Sequence, residues 1–166
     1  MNNQSYTEKT REALQNAQSL TVQYQNQEME QEHLAYALIS DPQGLISQLL
    51  TKMGKQPAEM ASRLETMIAR LPKVMGQARE ADKIYISSDV EKAMVAAQQR
   101  AQTMGDDYMS VEHLFLGLLE KPSRAMAEFW RSYAITEKAF LPVLQQVRGN
   151  ARVSTENPED TYDVLT

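Results

Sequence analysis

Apolar residues recur along this chain every three or four positions, which is the spacing of helices that bury one face. The pattern predicts short helices in the first half of the sequence, approximately over residues 5–24, 31–40, 45–53 and 57–71. Ser5 and Glu8 have the spacing of a capping box, and Pro57 suits a first helical turn. Helices of this length are marginal in water by themselves, so packing against their neighbours must stabilise them.

The second half of the chain repeats the first at an offset of 80 residues, without a gap. The tripeptide Glu32-His33-Leu34 falls on Glu112-His113-Leu114. A second capping-box spacing starts at Ser88, and further helices are predicted approximately over residues 88–104, 111–119, 125–133 and 135–148. Repetition at a fixed period indicates copies that bury a shared core between them. We therefore expect an all-α fold of two pseudo-symmetric four-helix repeats, packed into one eight-helix domain.

Polar and turn-forming stretches set the predicted boundaries. We expect one domain over residues 1–149, with the first repeat at about 5–71 and the second at about 87–149. Residues 73–86 form the break between the repeats and include a short β-prone run at 84–86. Residues 150–166 are polar and contain Pro158, so they are predicted to be an exposed tail or linker.

The charge balance bears on possible partners and location. Lys plus Arg total 17 against 22 Asp plus Glu, a net charge of -5. This balance argues against a nucleic-acid partner, whose phosphates need clustered positive charge. The sequence has no Cys, which excludes disulfides and thiolate metal sites and is compatible with the cytoplasm. We find no signal peptide and no apolar run of membrane-spanning length, so we expect a cytoplasmic protein without membrane association.

Motifs for catalysis and cofactor binding are missing from the sequence. It contains no G-x-x-x-x-G-K-[ST] phosphate loop, no G-x-S-x-G nucleophile elbow and no glycine-rich dinucleotide loop. Glu30 and His33 have the i, i+3 spacing of di-iron carboxylate bundles, but Ser110 stands where Glu30 would repeat. The ligand set is incomplete, and packing near the start of each repeat's second helix explains the two His residues better. We predict no catalytic residue, no metal site and no enzyme activity.

The repeated unit, with its Glu-His-Leu tripeptide, resembles the Clp N-terminal repeat, the paired domain at the head of Clp-family AAA+ protein unfoldases. Residues 7–14 resemble the opening helix of the ClpB-type disaggregases, 70–74 and 84–87 their connector, and 157–165 the start of their linker to an ATPase module. The resemblance implies a Clp N-domain fold. It also implies ATP and magnesium as cofactors of a hexameric full-length parent, with no cofactor in this chain. The chain has a linker-like tail but no phosphate loop, which favours a domain excised from a longer protein over a natural short protein.

The resemblance assigns substrate binding to three polar residues, Thr7, Asp106 and Glu112. The residues alone also give each a structural role. Thr7 can cap a helix, Asp106 can bond to the backbone of its own turn, and Glu112 suits a first helical turn. Both interpretations stay open from the sequence.

The resemblance further implies an apolar groove where the first helix meets the start of the second repeat. The candidate wall residues are Thr10, Ala13, Leu14 and Ala17 of the first copy, and Met94 and Ala97 of the second. Met94 is the strongest candidate because methionine adapts to varied apolar segments, whereas Leu14 is expected in the core. His113 would make the groove less apolar if its side chain faced it.

Three functional hypotheses follow. The leading one is a non-catalytic module that docks exposed apolar segments of unfolded or aggregated proteins, weakly and with little sequence preference, for a ClpB-type disaggregase. The alternative partner is a folded adaptor or co-chaperone, bound tightly and one to one. The third is an enzyme or metalloprotein, supported only by the spacing of Glu30 and His33. We expect the isolated domain to be a monomer, because no heptad or extended apolar surface stripe is evident.

Overall fold

The computed structural model describes residues 5–74, 84–149 and 151–162, and within them the chain is mostly helical. The helices of the first repeat are α1 (Glu8–Gln23), α2 (Gln31–Ile39), α3 (Leu45–Lys52) and α4 (Pro57–Ala69). Those of the second are α5 (Ser88–Thr103), α6 (Val111–Glu120), α7 (Arg124–Ser132) and α8 (Glu137–Arg148). The predicted all-α fold of two four-helix repeats is confirmed. The predicted break at 73–86 lies partly outside the described residues.

Four two-residue strands join the repeats. They are β1 (Ser5–Tyr6), β2 (Glu28–Met29), β3 (Tyr85–Ile86) and β4 (Tyr108–Met109). β1 pairs with β4 and β2 pairs with β3, both in parallel, so each pair joins one repeat to the other. The 80-residue offset converts one pair into the other, which places a pseudo-twofold axis between the repeats. The β-prone run at 84–86 is confirmed for Tyr85–Ile86.

The strands also determine where two helices begin. Thr7 and Ser87 are the N-caps of α1 and α5, and each hydroxyl accepts a hydrogen bond from the backbone N–H three residues later. The predicted capping boxes at Ser5 and Ser88 are therefore wrong. Ser5 is held extended by its pairing with β4, and Ser88 is already the first residue of α5. Thr7 thus has the capping role that its residue type suggested, whereas the cap at Ser87 follows from a pairing between repeats that local sequence does not reveal.

The core is shared by the two repeats and includes most of α6, whose residues 111–118 are buried. Phe115 of α6 is fully buried, with ring centroids 5.3 Å from Trp130 of α7 and 4.8 Å from Phe140 of α8. Gly117 lets α6 approach α5 closely, because a Cβ there would lie 2.3 Å from the carbonyl oxygen of Ala93. Tight aromatic and backbone packing of this kind fixes the position of the first turn of α6, which carries Glu112.

The segment after α8 differs from its prediction. Residues 150–166 were expected to form an exposed tail, but within 151–162 the side chains of Val153, Pro158, Glu159 and Tyr162 are buried. A 3₁₀ turn spans Pro158–Thr161. The prediction of an exposed tail is wrong at these four residues, because the segment bonds to buried groups at Thr7, Asp106 and Glu112. Residues 151, 152 and 154–157 are exposed, as predicted. The division of the chain at residue 149 stays a prediction.

Candidate functional site

Asp106, in the turn between α5 and β4, accepts hydrogen bonds from three buried groups. Its Oδ2 accepts from Nε2 of His113 at 2.7 Å, and its Oδ1 accepts from Nη2 of Arg148 at 2.6 Å and from the N–H of Val153 at 2.9 Å. Burial by itself would raise the pKa of Asp106, but these donors hold that pKa well below its usual range. Asp106 is therefore a buried, ionised anchor rather than a local turn former.

Glu112, in the first turn of α6, is fully buried. Its Oε2 accepts from Nη1 of Arg148 at 3.2 Å and from the hydroxyl of Tyr162 at 2.9 Å. Its Oε1 has no hydrogen-bond partner among the described residues. Burial and the neighbouring Glu112 carboxylate raise the pKa of Tyr162, so its hydroxyl stays protonated and donates.

Thr7 joins the start of α1 to the segment after α8. Its hydroxyl caps α1 and donates to Oε2 of Glu159 at 2.7 Å, and the same oxygen accepts from the N–H of Val111 at 3.2 Å. Burial, together with the charge of Glu112, raises the pKa of Glu159. Oε1 of Glu159 has no partner among the described residues. The structure thus brings Thr7 close to the first turn of α6.

These contacts define what we call the polar cluster: Thr7, Asp106, Glu112, His113, Arg148, Glu159 and Tyr162. The sequence interpretation missed Arg148, Glu159 and Tyr162. For Glu159 and Tyr162 the sequence signal was the resemblance of residues 157–165 to a linker, which pointed away from burial. Arg148 lies in the last turn of a predicted helix, where a basic residue is ordinarily exposed. His113 is fully buried inside the cluster, so the concern that it lowers the apolarity of the groove does not arise.

The first repeat contains the matching histidine. Nδ1 of His33 accepts from the N–H of Glu30 at 2.9 Å, and its Nε2 contacts Oδ1 of Asn26 at 2.8 Å, where Asn26 takes the place of Asp106. Both ring nitrogens are therefore occupied, which leaves no ligand position on His33. Among the described residues, no group of three His, Asp or Glu side chains is placed to hold a metal ion.

A surface groove runs along α5 beside the ends of β1 and β3. Its volume is about 950 Å³, and its lining includes Tyr6, Ile86, Asp89, Lys92, Met94, Val95, Lys121 and Pro122. Ile86 and Val95 are about half exposed, at 55% and 49%.

No helix in the described parts of the chain has the length and apolarity to cross a membrane.

The predicted wall residues separate into two groups. Met94 lines the groove. Thr10, Ala17 and Ala97 are fully buried, Ala13 borders a smaller cleft beside α1, and Leu14 packs against the core as expected. The structure therefore does not bring Met94 together with Thr7, Asp106 and Glu112 on one accessible surface.

Comparison with known proteins shows a family match over most of the chain. The Clp repeat (R) N-terminal domain matches residues 5–133. The chain is 40% identical over 161 residues to the chaperone protein ClpB of Nitratidesulfovibrio vulgaris, covering 96% of this chain and 19% of that protein. It is 37% identical over 159 residues to ClpB of Bacillus anthracis, covering 96% and 18%. The chain thus spans about a fifth of the length of these relatives.

Solved structures share the fold at lower identity. The N-terminal domain of Hsp104 from Candida albicans has a TM-score of 0.80 at 17% identity, covering 93% of this chain and 99% of that one. A complex of the ClpV N-domain with a VipB peptide has a TM-score of 0.59 at 16% identity, covering 78% and 79%.

Proposed function

The chain belongs to the Clp repeat N-terminal domain family, and from this premise we propose that it is the substrate-binding N-terminal domain of a ClpB-type disaggregase. Exposed apolar segments of unfolded or aggregated proteins dock in the groove along α5. The parent then unfolds them with the energy of ATP hydrolysis. A hexameric parent that uses ATP and magnesium, and a cytoplasmic location, belong to the same proposal.

The observation that carries this proposal is the exposed apolar lining of the groove. Ile86 and Val95 expose about half of their surface, and Met94 also lines the groove. Large apolar side chains clustered at a concave surface are typical of a binding site for another chain. Methionine adds adaptability, which suits a module that must accept many sequences.

Charged side chains of both signs border the groove. Its lining residues include the acidic Asp89 and Glu91 and the basic Lys92 and Lys121. A mixed rim of this kind favours no single charge on the bound segment. Affinity then depends mainly on apolar contact, and we expect it to be weak.

The groove predicts a position-specific effect of one substitution. Val95→Asp should abolish the chemical-shift changes that a permanently unfolded client causes around Met94 and Ile86. Val22→Asp is the matched control, because Val22 on α1 is 46% exposed against 49% for Val95 and lies outside the groove. NMR titration measures both variants. Equal loss of client shifts in the two variants would show that the groove assignment is wrong.

A folded adaptor is the second candidate partner. The ClpV N-domain, which shares this fold, was solved in complex with a VipB peptide, so the fold can hold one defined peptide. An adaptor site should give no heat with a scrambled apolar peptide in calorimetry, whereas a client groove should bind it. Heat from the scrambled peptide, lost in Val95→Asp, supports client docking.

A further inference from the structure

Residues 151–162, which we call the strap, bind to the rest of the domain as a peptide ligand would. Val153 accepts a hydrogen bond from the N–H of Asp107 at 2.8 Å and donates one to Oδ1 of Asp106. The N–H of Glu8 donates to the carbonyl of Glu156 at 2.8 Å. Backbone pairing with a few buried side chains is the way an extended segment adds to a folded surface.

Each polar residue expected to bind substrate instead contacts the strap. Thr7 donates to Glu159, Asp106 accepts from the N–H of Val153, and Glu112 accepts from the hydroxyl of Tyr162. Thr7 and Glu112 are fully buried and Asp106 is 5% exposed. In this arrangement none of the three can contact a client.

The contacts that hold the strap leave some buried oxygen atoms without a hydrogen-bond partner among the described residues. Two buried carboxylate oxygens, Oε1 of Glu112 and Oε1 of Glu159, have no hydrogen-bond partner among the described residues. A single guanidinium, that of Arg148, serves both Asp106 and Glu112. Buried acceptors without partners cost free energy, and part of that cost is recovered when the strap leaves and water enters.

The strap packs less extensively than the helices. Its residues 151, 152 and 154–157 are exposed, although Val153 is fully buried and Tyr162 joins the hydrophobic core. Its regular structure is the 3₁₀ turn at Pro158–Thr161. Segments with few buried apolar contacts open locally at a lower free energy than the core does. Opening of the strap should therefore leave the eight helices intact.

We infer that the strap is a releasable tether, and that Thr7, Asp106 and Glu112 hold it down rather than contact the client. Release frees about 40 Å of extended chain, from about 12 residues at the extended-chain rise. On the proposed function, this length adds to the reach of the domain from its parent. Substitutions at the three residues then alter client delivery through the tether, not through the groove.

Amide hydrogen exchange of the whole chain, without client, tests the release. Among the described residues, the amides of Glu8, Asp107, Val111 and Val153 find their hydrogen-bond acceptors across the strap interface. They should exchange about 100-fold faster than those of Leu116 and Leu118 in α6, because they open without global unfolding. If both sets of amides exchanged at the same rate, and both rates depended on denaturant in the same way, the inference would be overturned.

A matched pair of variants tests the role of Thr7. Thr7→Ala and Ser87→Ala each remove an N-cap hydroxyl from equivalent positions of α1 and α5, but only Thr7 reaches the strap. Thr7→Ala should accelerate exchange at Val153 about tenfold, as expected for one lost bond to a buried carboxylate. Ser87→Ala should leave it unchanged, and Thr7→Ser should restore it. Equal effects of the two alanine variants would overturn the inference.

The client titration separates this inference from the proposed function. Thr7→Ala should keep the client shifts in the groove while it releases the strap. If it abolishes those shifts and leaves strap exchange unchanged, Thr7 contacts the client and the tether role is wrong. Failure of the groove to bind any client leaves the exchange result standing, because that measurement contains no client.

Discussion

Each repeat has one histidine in the first turn of its second helix, and the side chain that this histidine contacts is neutral in the first repeat and charged in the second. His33 contacts Asn26, whereas His113 donates to Asp106. Both rings accept the backbone N–H of the N-cap residue of their own helix. The carboxylate at position 106 can also hold Arg148 and the strap, which an amide cannot do equally well. One residue difference thus converts a structural contact into an anchor.

Asp106→Asn should destabilise the domain strongly. The change removes the charge opposite Arg148 and places an amide N–H₂ against a donor, at a fully buried position. Breaking a buried ion pair costs about 3 kcal/mol or more. Urea unfolding measures this loss, with Asp107→Asn at the exposed neighbouring residue as the control. A loss equal to that of the control would contradict the anchor role.

His33 should make stability depend on pH. Burial lowers its pKa to about 4 from the ordinary 6.5, although the Glu30 backbone opposes this. Between these values the unfolded chain binds the extra proton, so stability falls as pH falls. The contribution of His33 to the free energy of unfolding should therefore fall by about 2 kcal/mol between pH 7 and pH 5. The difference in unfolding free energy between wild type and His33→Gln reports this, and a difference that does not change with pH would contradict it.

At the scale of elements, the contact of α5 with α6 depends on Gly117. In the first repeat Ala37 occupies the equivalent position of α2, so that pair of helices tolerates a methyl group. At Gly117 a Cβ would meet the backbone of Ala93 at 2.3 Å and that of Ala97 at 3.0 Å. Backbone atoms cannot move aside as a side chain can, so α6 would have to shift.

Gly117→Ala should therefore destabilise the domain by about 2 kcal/mol, despite the higher helix propensity of alanine. Thermal unfolding followed by circular dichroism measures the effect. Ala37→Gly is the control and should lose about 1 kcal/mol from propensity alone. Stabilisation by Gly117→Ala would mean that the two helices separate without cost.

The helices were predictable from sequence, because each buries one face and the same apolar spacing occurs in both repeats. Thr7 was recognised as a possible helix cap, but the N-cap at Ser87 was missed, because the strand that precedes it pairs with a strand 57 residues earlier, from Tyr85 back to Glu28. Met94 was named as a wall residue and lines a surface groove, whereas Val95 and Ile86 of the same groove were not named. The burial of Glu159 and Tyr162 could not be foreseen, because a polar segment gives no periodic signal before its partners are known.

At the scale of the whole molecule, the strand pairs make the two repeats dependent on each other. β1 of the first repeat needs β4, and β3 of the second needs β2. Leu34 and Leu114 are both fully buried in one shared core. A repeat that cannot bury its apolar face alone is stable only with its neighbour.

Residues 1–74 as a separate fragment should therefore show no cooperative thermal transition. Mixing this fragment with residues 75–166 should restore one, at a midpoint that rises with concentration because association is then part of folding. Circular dichroism at several concentrations measures both. A cooperative transition in the first fragment alone would show that the repeats fold independently.

The exchanged strand pairs also have a consequence for the freedom of the two halves to differ. Two segments related by a twofold axis, each pairing with the other's partner, have the geometry of a symmetric dimer of one repeat. In a true dimer of identical chains both halves would carry the same residue at every position. Because the two repeats of this protein are joined in one chain, one half holds Asn26 as a structural contact while the other holds Asp106, which also binds the strap.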